Sequence, residues 1–257
     1  MDNKKIVLLA GKGQSTNIVF NSINKKFGVY LAILEEKEHT KIFLKRRIKK
    51  LGLFTVIGQI LFQIFIAIPL GLLSRKRKSE IINEKLLDIT DIPTEKINYV
   101  TSVNSKATIE LLQGINPDII VVNGTRIISK KVLSVVKCKL INTHAGLTPK
   151  YRGVHGTYWA LVNNDVENSG VTIHFVDEGI DTGNIIDQIT VIPIKQDNFS
   201  TYPLLQLSEA IKMLNKALEN FYETKLIAKP GKELESAVWY HPTLWKYLFY
   251  RIIKGVK

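Results

Sequence analysis

The sequence predicts an α/β protein with a doubly wound, mostly parallel sheet. Short apolar runs rich in β-branched residues recur along residues 1–190, and the early runs are continuous rather than alternating. Continuous apolar runs are typical of strands that are buried on both faces of a parallel sheet. Segments with helix-like apolar spacing separate these runs, and such an alternation of strands and helices indicates a doubly wound fold.

Six of the runs are predicted strands, and the segments between and after them are predicted helices. In chain order the strands are Ile6–Ala10, Val29–Leu34, Ile97–Val100, Ile119–Val122, Leu140–Asn142 and Val171–Val176. The predicted helices include Ser105–Gln113, Ser129–Val136, an amphipathic helix over Tyr202–Tyr222 and an aromatic, basic helix over Trp239–Ile253. We therefore expect a main, catalytic domain over residues 1–190 and a short, mainly helical C-terminal extension over 191–257.

Composition and charge narrow the classes of protein that this chain can form. Its 257 residues are 45% apolar and 23% charged, which is typical of a folded globular protein and excludes an intrinsically disordered chain. The single cysteine, Cys138, excludes an intrachain disulfide, and the N-terminal MDNKKIVLLA is too short and strand-like for a signal peptide, so we expect a cytoplasmic protein. The formal net charge of +13 favours anionic partners such as phosphates, nucleotides, RNA or acidic lipid.

An insertion over about residues 41–78 carries much of this charge together with an unusual apolar segment. Residues 51–73 contain no charged side chain, and basic clusters stand on both sides of them. The segment is long enough for a transmembrane helix, but Gly, Gln and Pro interrupt it. Because both flanks are basic, the charge distribution favours neither orientation in a membrane. Three interpretations stay open: a helical insertion packed on the sheet, a segment lying on an acidic membrane surface, peripherally at the inner face, or a span.

The strongest indication of chemistry is the strand end at Asn142 and His144. The predicted strand Leu140–Asn142 leads into two polar side chains separated by one residue, so strand alternation places both on the same face. Doubly wound sheets bind their ligands beyond the carboxyl ends of the strands. The loop that follows, Thr148–Gly153, contains Pro and Gly, which let backbone approach a ligand closely.

A second polar loop follows the last predicted strand and contains Asp177, Glu178 and Asp181 together with Gly179 and Gly183. A carboxylate there could hydrogen-bond a histidine at a neighbouring strand end, which would fix its tautomer and raise its basicity. His174, within that strand, either packs in the core or lines the site. His155, after the Tyr-Arg-Gly loop, either shapes a substrate entrance or caps a helix.

Three separated motifs in this order resemble the folate-dependent formyltransferases, a family that includes glycinamide ribonucleotide, methionyl-tRNA and sugar N-formyltransferases. The motifs are Asn142-Thr-His144, Thr148-Pro-Lys-Tyr-Arg-Gly153, and the stretch from Gly170-Val-Thr-Ile-His to Asp181-Thr-Gly183. The resemblance is strong over residues 118–190 and extends back toward residue 1. It implies a Rossmann-like formyltransferase core and an enzyme of one-carbon metabolism.

The resemblance also implies roles for particular residues. Asn142, His144 and Asp181 match the family's catalytic residues. The formyl donor would be 10-formyltetrahydrofolate, and no metal ion is implied. The donor-binding residues would be Asn123, Gly124, Thr125, Arg126 and Ile127 in one loop and Val176, Asp177, Glu178, Gly179 and Ile180 in the other.

These residue types suit the transfer of a formyl group to an amine. When a neutral amine attacks the formyl carbon, negative charge develops on the formyl oxygen, and the Asn142 amide and His144 could donate hydrogen bonds to it. One such donor is worth about 3–4 kcal/mol in other enzymes. Asp181 would orient His144 and help to move a proton from the amine, a contribution of about 10²- to 10⁴-fold.

The segment Ala10–Asn17 follows the first predicted strand and precedes a helix, where backbone N–H groups suit a phosphate. It resembles the phosphate loop of glycinamide ribonucleotide formyltransferase, with about one extra residue. The alternative is an ordinary strand-to-helix turn capped by Ser15 or Thr16. From this segment and the Tyr-Arg-Gly loop we expect the acceptor to contact Gly11, Gly13, Ser15, Tyr151, Arg152 and Gly153.

Differences between this sequence and the related enzymes narrow the choice of acceptor substrate. Methionyl-tRNA formyltransferases carry a C-terminal β-barrel domain, whereas residues 191–257 look helical, so nucleic acid is not the expected partner. Glycinamide ribonucleotide enzymes lack an insertion like 41–78 and usually lack the Tyr-Arg-Gly form. We expect a phosphate-bearing small molecule, namely a nucleotide-linked amino sugar of surface polysaccharide or lipopolysaccharide synthesis. Glycinamide ribonucleotide, methionyl-tRNA and an inactive membrane-surface scaffold stay open as alternatives, and the oligomeric state is undetermined.

Overall fold

A seven-stranded sheet forms the centre of the protein in a computed structural model, which describes residues 4–231 and 235–257. The strands of this sheet are β1 (Ile6–Gly11), β2 (Leu31–Glu35), β3 (Ile97–Val100), β4 (Ile119–Asn123), β5 (Lys139–His144), β7 (Gly170–Phe175) and β8 (Ile185–Thr190). Two further short strands, β6 (Arg152–Gly153) and β9 (Val238–Trp239), pair with each other outside it. The order across the sheet is β3-β2-β1-β4-β5-β7-β8. Pairing is parallel from β3 to β5, and β7 and β8 complete the sheet in antiparallel directions.

Helices cover both faces of this sheet. In the described part of the chain they are α1 (Gln14–Phe27), α2 (Thr40–Leu51), α3 (Leu53–Phe62), α4 (Ile68–Leu73), α5 (Arg75–Glu84), α6 (Lys106–Ile115), α7 (Lys130–Val135), α8 (Gly156–Val162), α9 (Tyr202–Tyr222) and α10 (Leu244–Lys254). Alternate residues of each central strand point to opposite faces, so β1 contributes Leu8 to the core under α1 and α9, and Leu9 to the core under α6 and α7. The predicted doubly wound, mostly parallel fold is confirmed.

All six predicted strands are present as β1 to β5 and β7. Two predicted helices, α6 and α7, begin directly after Ser105 and Ser129, whose hydroxyls accept hydrogen bonds from the backbone N–H three residues later and so cap the first turn. Strand β8 was not predicted. It is an edge strand of partly exposed residues that include Asp187 and Gln188, and so it lacks the continuous apolar run of the buried strands.

The C-terminal extension contributes to the main core. Helix α9 has the bounds predicted for the amphipathic helix, and its buried face packs on β7 and β8 with Leu214 and Leu218 fully buried. The second predicted helix, Trp239–Ile253, begins later than expected, at Leu244. Trp239 belongs to β9 instead, and the Thr243 side chain caps the helix by accepting a hydrogen bond from the Lys246 backbone N–H.

The insertion is helical apart from a break at Gly52 and a turn at Ser74. Within it a π-helical turn, Gln63–Ala67, joins α3 and α4 into one continuous helix, Leu53–Leu73. Among the described residues it is the one helix long and apolar enough to cross a membrane by length and composition. One of its faces packs on the domain. There the Phe62 ring is fully buried, and its centroid lies 4.9 Å from that of the Phe199 ring and 5.2 Å from that of the Tyr247 ring. The opposite face is exposed.

Candidate active site

An open cleft of about 700 Å³ lies beyond the carboxyl ends of β4 and β5, where the fold is expected to bind ligands. Its size is that of a small-molecule site. Its lining includes the ends of β4 and β5, the loops that follow β4 and β7, residues 153–154 and 238–241, and helix α2 of the insertion. Asn142, His144 and Asp181, the three predicted catalytic residues, meet in this cleft.

Asn142 is held in place by two neighbours. Its Nδ2 atom donates to His174 Nε2 over 3.1 Å and lies 3.4 Å from Asp181 Oδ1. His174 Nδ1 lies 2.7 Å from the Phe175 carbonyl oxygen, so the network assigns the proton of a neutral His174 to Nδ1 and leaves Nε2 to accept from Asn142. Register explains the contact, because Asn142 and His174 are directly paired across β5 and β7. His174, for which core packing and site lining were both open, lines the cleft.

Asp181 lies within reach of every other member of the cluster. Its Oδ2 accepts a hydrogen bond from the Gly153 backbone N–H at 3.0 Å and lies 3.4 Å from His144 Nδ1. Burial of this side chain acts to raise its pKa. At the low pH where this carboxyl group titrates, the charge of His144 and the contacts with His174 and Gly153 outweigh that effect and lower the pKa of Asp181 to about 2. Asp181 is therefore a carboxylate at neutral pH.

His144 is a buried histidine with a partner at each ring nitrogen. Its Nε2 lies 2.8 Å from the Tyr151 carbonyl oxygen, and its Nδ1 faces Asp181. Burial lowers the pKa of His144, and the Asp181 carboxylate and the Tyr151 carbonyl offset only part of that effect. A mostly neutral ring at pH 7 therefore donates Nε2–H to Tyr151 and presents Nδ1 toward the carboxylate.

The Tyr-Arg-Gly loop supports the cluster mainly through its backbone. Gly153 has φ +94°, and an added Cβ would collide with the carbonyl oxygen of Trp239 on the paired strand β9, so only glycine fits where the N–H reaches Asp181. Arg152 Nη1 donates to the Ile180 carbonyl oxygen at 3.0 Å and ties the loop to the one after β7. The Tyr151 ring, predicted to contact the acceptor, is instead fully buried and donates its hydroxyl to Asp165, because it fills the aromatic core beside α8.

The predicted donor-binding loop after β4 borders the cleft with four of its five residues, from Gly124 to Ile127. Glu35 holds this loop: its buried carboxylate accepts from the backbone N–H groups of Arg126 and Val103. Asn123 is buried below the cleft and bonds Thr16 and Thr143. Its placement indicates that it positions the loop rather than contacts a ligand.

The opposing loop after β7 borders the cleft with Val176, Asp177, Gly179 and Ile180. Asp177 shapes the loop, because its Oδ1 accepts from the Gly179 backbone N–H and from the Thr182 hydroxyl. Glu178, which was included in the predicted donor-binding set, points outward and pairs with Lys130.

The turn that contains Gly11, Gly13 and Ser15 lies outside the cleft wall. It is tied together by Thr16, whose hydroxyl donates to the Gly11 carbonyl oxygen, and Gly11 passes so close to β4 that an added Cβ would lie 2.6 Å from the Gly124 carbonyl oxygen. The structure does not bring the predicted acceptor residues of this turn to the catalytic cluster. Its observed contacts are those of a strand-to-helix turn.

Two groups of cleft residues were not predicted. Helix α2 supplies Arg46, Arg47 and Lys50 to one wall, and the C-terminal extension supplies Tyr240 and His241. Local patterns give no signal for either group, since both depend on long-range packing. The basic wall next to the cluster favours an anionic ligand.

His241 pairs with the second histidine that was left open, His155. The Nδ1 atom of His241 lies 2.9 Å from His155 Nε2. His155 stands at the N-cap position of α8, yet its side chain makes no capping hydrogen bond. Burial lowers the pKa of His155 well below the usual range and that of His241 to about 4, so both rings are neutral at pH 7.

The fold and the cluster together define an α/β protein with a group-transfer site at its strand ends. The family model described as formyl transferase matches residues 74–216, more than half of the chain. The chain therefore belongs to the formyl transferase family.

Three proteins illustrate what the chain is similar to, one in sequence and two in fold. Methionyl-tRNA formyltransferase of Finegoldia magna is 41% identical over 143 residues, which are 53% of this chain and 44% of that protein. Phosphoribosylglycinamide formyltransferase from Streptococcus pneumoniae shares the fold with a TM-score of 0.54 at 20% identity, covering 85% of this chain and 99% of that one. The N-formyltransferase from Helicobacter canadensis, solved with folinic acid and dTDP-3-aminofucose, gives a TM-score of 0.51 at 20% identity, covering 91% and 70%. The match spans about half the length of the curated relatives, 44% and 46% of the first two.

Proposed function

We propose that the protein transfers a formyl group from 10-formyltetrahydrofolate to the primary amine of a phosphate-bearing amino sugar, with a nucleotide-linked sugar as the acceptor class. The observation that carries the proposal is the cluster of Asn142, His144 and Asp181, which lies in a cleft of small-molecule size in a member of the formyl transferase family. The reaction belongs to the cytoplasm, where surface polysaccharide precursors would receive the formyl group.

The cleft suits a flat, partly polar donor. Loop 124–128 and loop 176–180 face it from two sides, and Val122, Ile128 and Val176 add apolar surface. Backbone amides beside apolar side chains are what a heteroaromatic ring with hydrogen-bonding edges needs. The bound donor would supply the activated formyl group, and these two loops would hold it.

The chain's own residues then supply donors and a proton acceptor. The hydrogen bond from Asn142 Nδ2 to Asp181 Oδ1 is long at 3.4 Å, so the side-chain amide group could exchange it for a bond to the formyl oxygen as negative charge develops there. His144 Nδ1 can take the proton released by the amine and pass it to the nitrogen that departs as the formyl group is transferred. Asp181 Oδ2, 3.4 Å away, would stabilise the charge on the ring. Since burial disfavours a charged His144, the neighbouring carboxylate is needed for that proton to stay.

The acceptor class rests on the basic wall. Arg46 and Lys50 are exposed residues that border the cleft on its α2 side, and Arg47 is oriented there by a 2.8 Å hydrogen bond from its Nε to Gln59 Oε1. Guanidinium and ammonium groups in this position would pair with the phosphates of an acceptor while its amine reaches His144 and Asp181. The aromatic residue Tyr240 borders the same region, and its ring could pack on a sugar or a base.

Methionyl-tRNA is the second candidate acceptor. The sequence relatives are named methionyl-tRNA formyltransferases, and the net charge of +13 would favour a polyanion. The two acceptors differ in size and in charge, so a direct comparison separates them.

The test supplies purified protein with 10-formyltetrahydrofolate and a panel of acceptors and follows the release of tetrahydrofolate. The panel contains nucleotide-linked amino sugars, glycinamide ribonucleotide and methionyl-tRNA. We expect turnover with an amino sugar and a loss of about 100-fold or more in kcat/KM for His144→Ala. The matched control is His39→Ala, at an exposed histidine before α2, which should stay within about twofold of the unaltered protein. Turnover with methionyl-tRNA alone would transfer the proposal to that acceptor, and an inert panel would refute formyl transfer.

A further inference from the structure

The insertion and the C-terminal helix present one continuous apolar surface to solvent. On Leu53–Leu73 the exposed apolar side chains recur every three or four residues, and α10 adds a second exposed group. We call this surface the apolar platform and define it by Leu53, Phe54, Ile57, Ile60, Ile64, Phe65, Ile68, Leu72, Leu73, Leu248, Phe249, Ile252 and Ile253. A stripe of this kind on a surface helix normally faces a core, and here it faces outward.

The two helices of the platform are locked together. Gly58 lies against the Trp245 ring, where any Cβ would collide, and the Phe54 ring stacks on Trp245 at 4.4 Å between centroids. The platform is therefore one surface of two packed helices rather than two separate patches. Monomeric soluble proteins rarely leave contiguous apolar surface of this kind uncovered.

The helix Leu53–Leu73 is not an ordinary core helix. Only 22% of its most apolar 18-residue window is buried, whereas a core helix of a soluble protein is buried over most of its length. Its packed side binds the domain through polar as well as apolar contacts: Gln59 accepts from Arg47 and donates to the His241 carbonyl oxygen at 2.8 Å. A helix attached along its length in this way lies along the protein surface, with one side free to meet a partner.

The positive charge around the apolar platform indicates an anionic partner. Residues 41–78 contain ten Lys and Arg and no Asp or Glu, and residues 244–257 contain four and none. Apolar side chains bordered by cations match the acyl boundary and the anionic headgroups of a bilayer. A second copy of this chain would bring the same positive borders together, which disfavours self-association through this surface.

We propose that the apolar platform docks the protein onto an anionic lipid bilayer, with the helix Leu53–Leu73 and α10 lying in the plane of the interface. The same insertion carries Arg46, Arg47 and Lys50 of the cleft wall, so docking brings the cleft near the headgroups. An acceptor made or held at the membrane would then reach the site directly. That last consequence rests on the proposed function, whereas docking itself is measured without donor or acceptor.

The experiment is co-sedimentation of the full chain with vesicles of phosphatidylcholine alone or mixed with an equal part of phosphatidylglycerol. We expect binding to the anionic vesicles, weakening as salt is raised. The platform variant is Phe65→Gln with Phe249→Gln, at side chains that are 60% and 56% exposed, and it should lower the partition coefficient by about tenfold or more. Its matched control is Leu86→Gln with Ile192→Gln, at apolar side chains that are 89% and 68% exposed outside the platform and should leave binding unchanged.

A second pair of variants separates docking from general attraction of a basic protein. Removing three charges next to the helix ends should lower binding to anionic vesicles by about fivefold per charge, and removing three exposed charges elsewhere should have a much smaller effect. The first set is Lys49→Gln, Arg75→Gln and Lys76→Gln, and the second is Lys106→Gln, Lys212→Gln and Lys225→Gln.

Three results would overturn the proposal. One is the absence of sedimentation with anionic vesicles, and another is an equal loss of binding in platform and control variants. The third is a lipid-free dimer, detected by light scattering, that the platform variant converts to a monomer while vesicle binding is absent. In that case the platform would be an interface between two copies. A failure of formyl transfer in the acceptor assay leaves each of these outcomes unaffected.

Discussion

Replacing Asp181 by asparagine isolates the contribution of its negative charge. The substitution keeps the size and the hydrogen-bonding reach of the side chain. It also preserves the backbone conformation, because Asp181 has φ +52° and asparagine adopts this left-handed region as readily as aspartate. What changes is the charge beside His144 and the acceptor for the Gly153 N–H.

The size of the effect follows from the pKa of Asp181. A pKa of about 2, against an ordinary value of 3.8, means that folding favours the carboxylate over its neutral form by about 2 kcal/mol. The side chain is only 16% exposed, so solvent screening reduces this little. Since asparagine approximates the neutral form, Asp181→Asn should lower the free energy of unfolding by up to about 2 kcal/mol, and by less at pH 7, where His144 is mostly neutral.

Urea denaturation followed by circular dichroism measures this difference. Because folding lowers the pKa of Asp181, the stabilisation from its carboxylate is present above pH 3.8 and is lost as the pH falls toward 2. The difference in stability between the protein and the variant should therefore narrow below pH 4. Formyl transfer should fall by about 10²- to 10⁴-fold in the same variant. The control is Asp187→Asn on β8, outside the cleft wall. Equal stability and retained activity in Asp181→Asn would refute the assigned role.

Three further predictions concern other parts of the structure. Gly153→Ala introduces a Cβ at φ +94° and against the Trp239 carbonyl oxygen, and should lower the free energy of unfolding by about 3 kcal/mol in urea denaturation. Folding lowers the pKa of His241 from 6.5 to about 4, so this group should cost the protein about 3 kcal/mol of stability as the pH falls from 6.5 toward 4. The substitution His241→Asn should flatten this dependence of stability on pH, and an unchanged slope would contradict the prediction. Gly58→Leu should displace Trp245, changing its fluorescence and costing about 2 kcal/mol, whereas an unaltered spectrum would show that the helices do not meet there.

Much of the sheet and the centre of the site could be predicted from local patterns. Continuous apolar runs in the sequence predict the buried strands. Asn142 and His144 lie on the same face of β5, because side chains alternate between the two faces of a strand. The helices α6 and α7 also form where the apolar spacing predicts them, and a serine caps the start of each. These features depend on residues within a few positions of one another.

What could not be predicted depends on contacts between distant parts of the chain. The cleft wall formed by α2, the His155–His241 pair and the pairing of β6 with β9 bring together segments that are far apart in sequence. Tyr151 illustrates the limit: its motif suggested acceptor contact, but aromatic packing against Trp239 places its ring in the core. The motif located a loop that borders the cleft, and tertiary packing decided which of its atoms face the cleft.

The central claim is that Asn142, His144 and Asp181 carry out formyl transfer, and a single-turnover experiment tests it most directly. The protein in excess is mixed with isotopically labelled 10-formyltetrahydrofolate and an amino-sugar acceptor, and the label on the acceptor amine is followed by mass spectrometry. We expect label on the amine with the unaltered protein and at least about 100-fold slower transfer with His144→Ala. Transfer at an equal rate in the variant, or label that never leaves the donor with any acceptor of the panel, would contradict the claim.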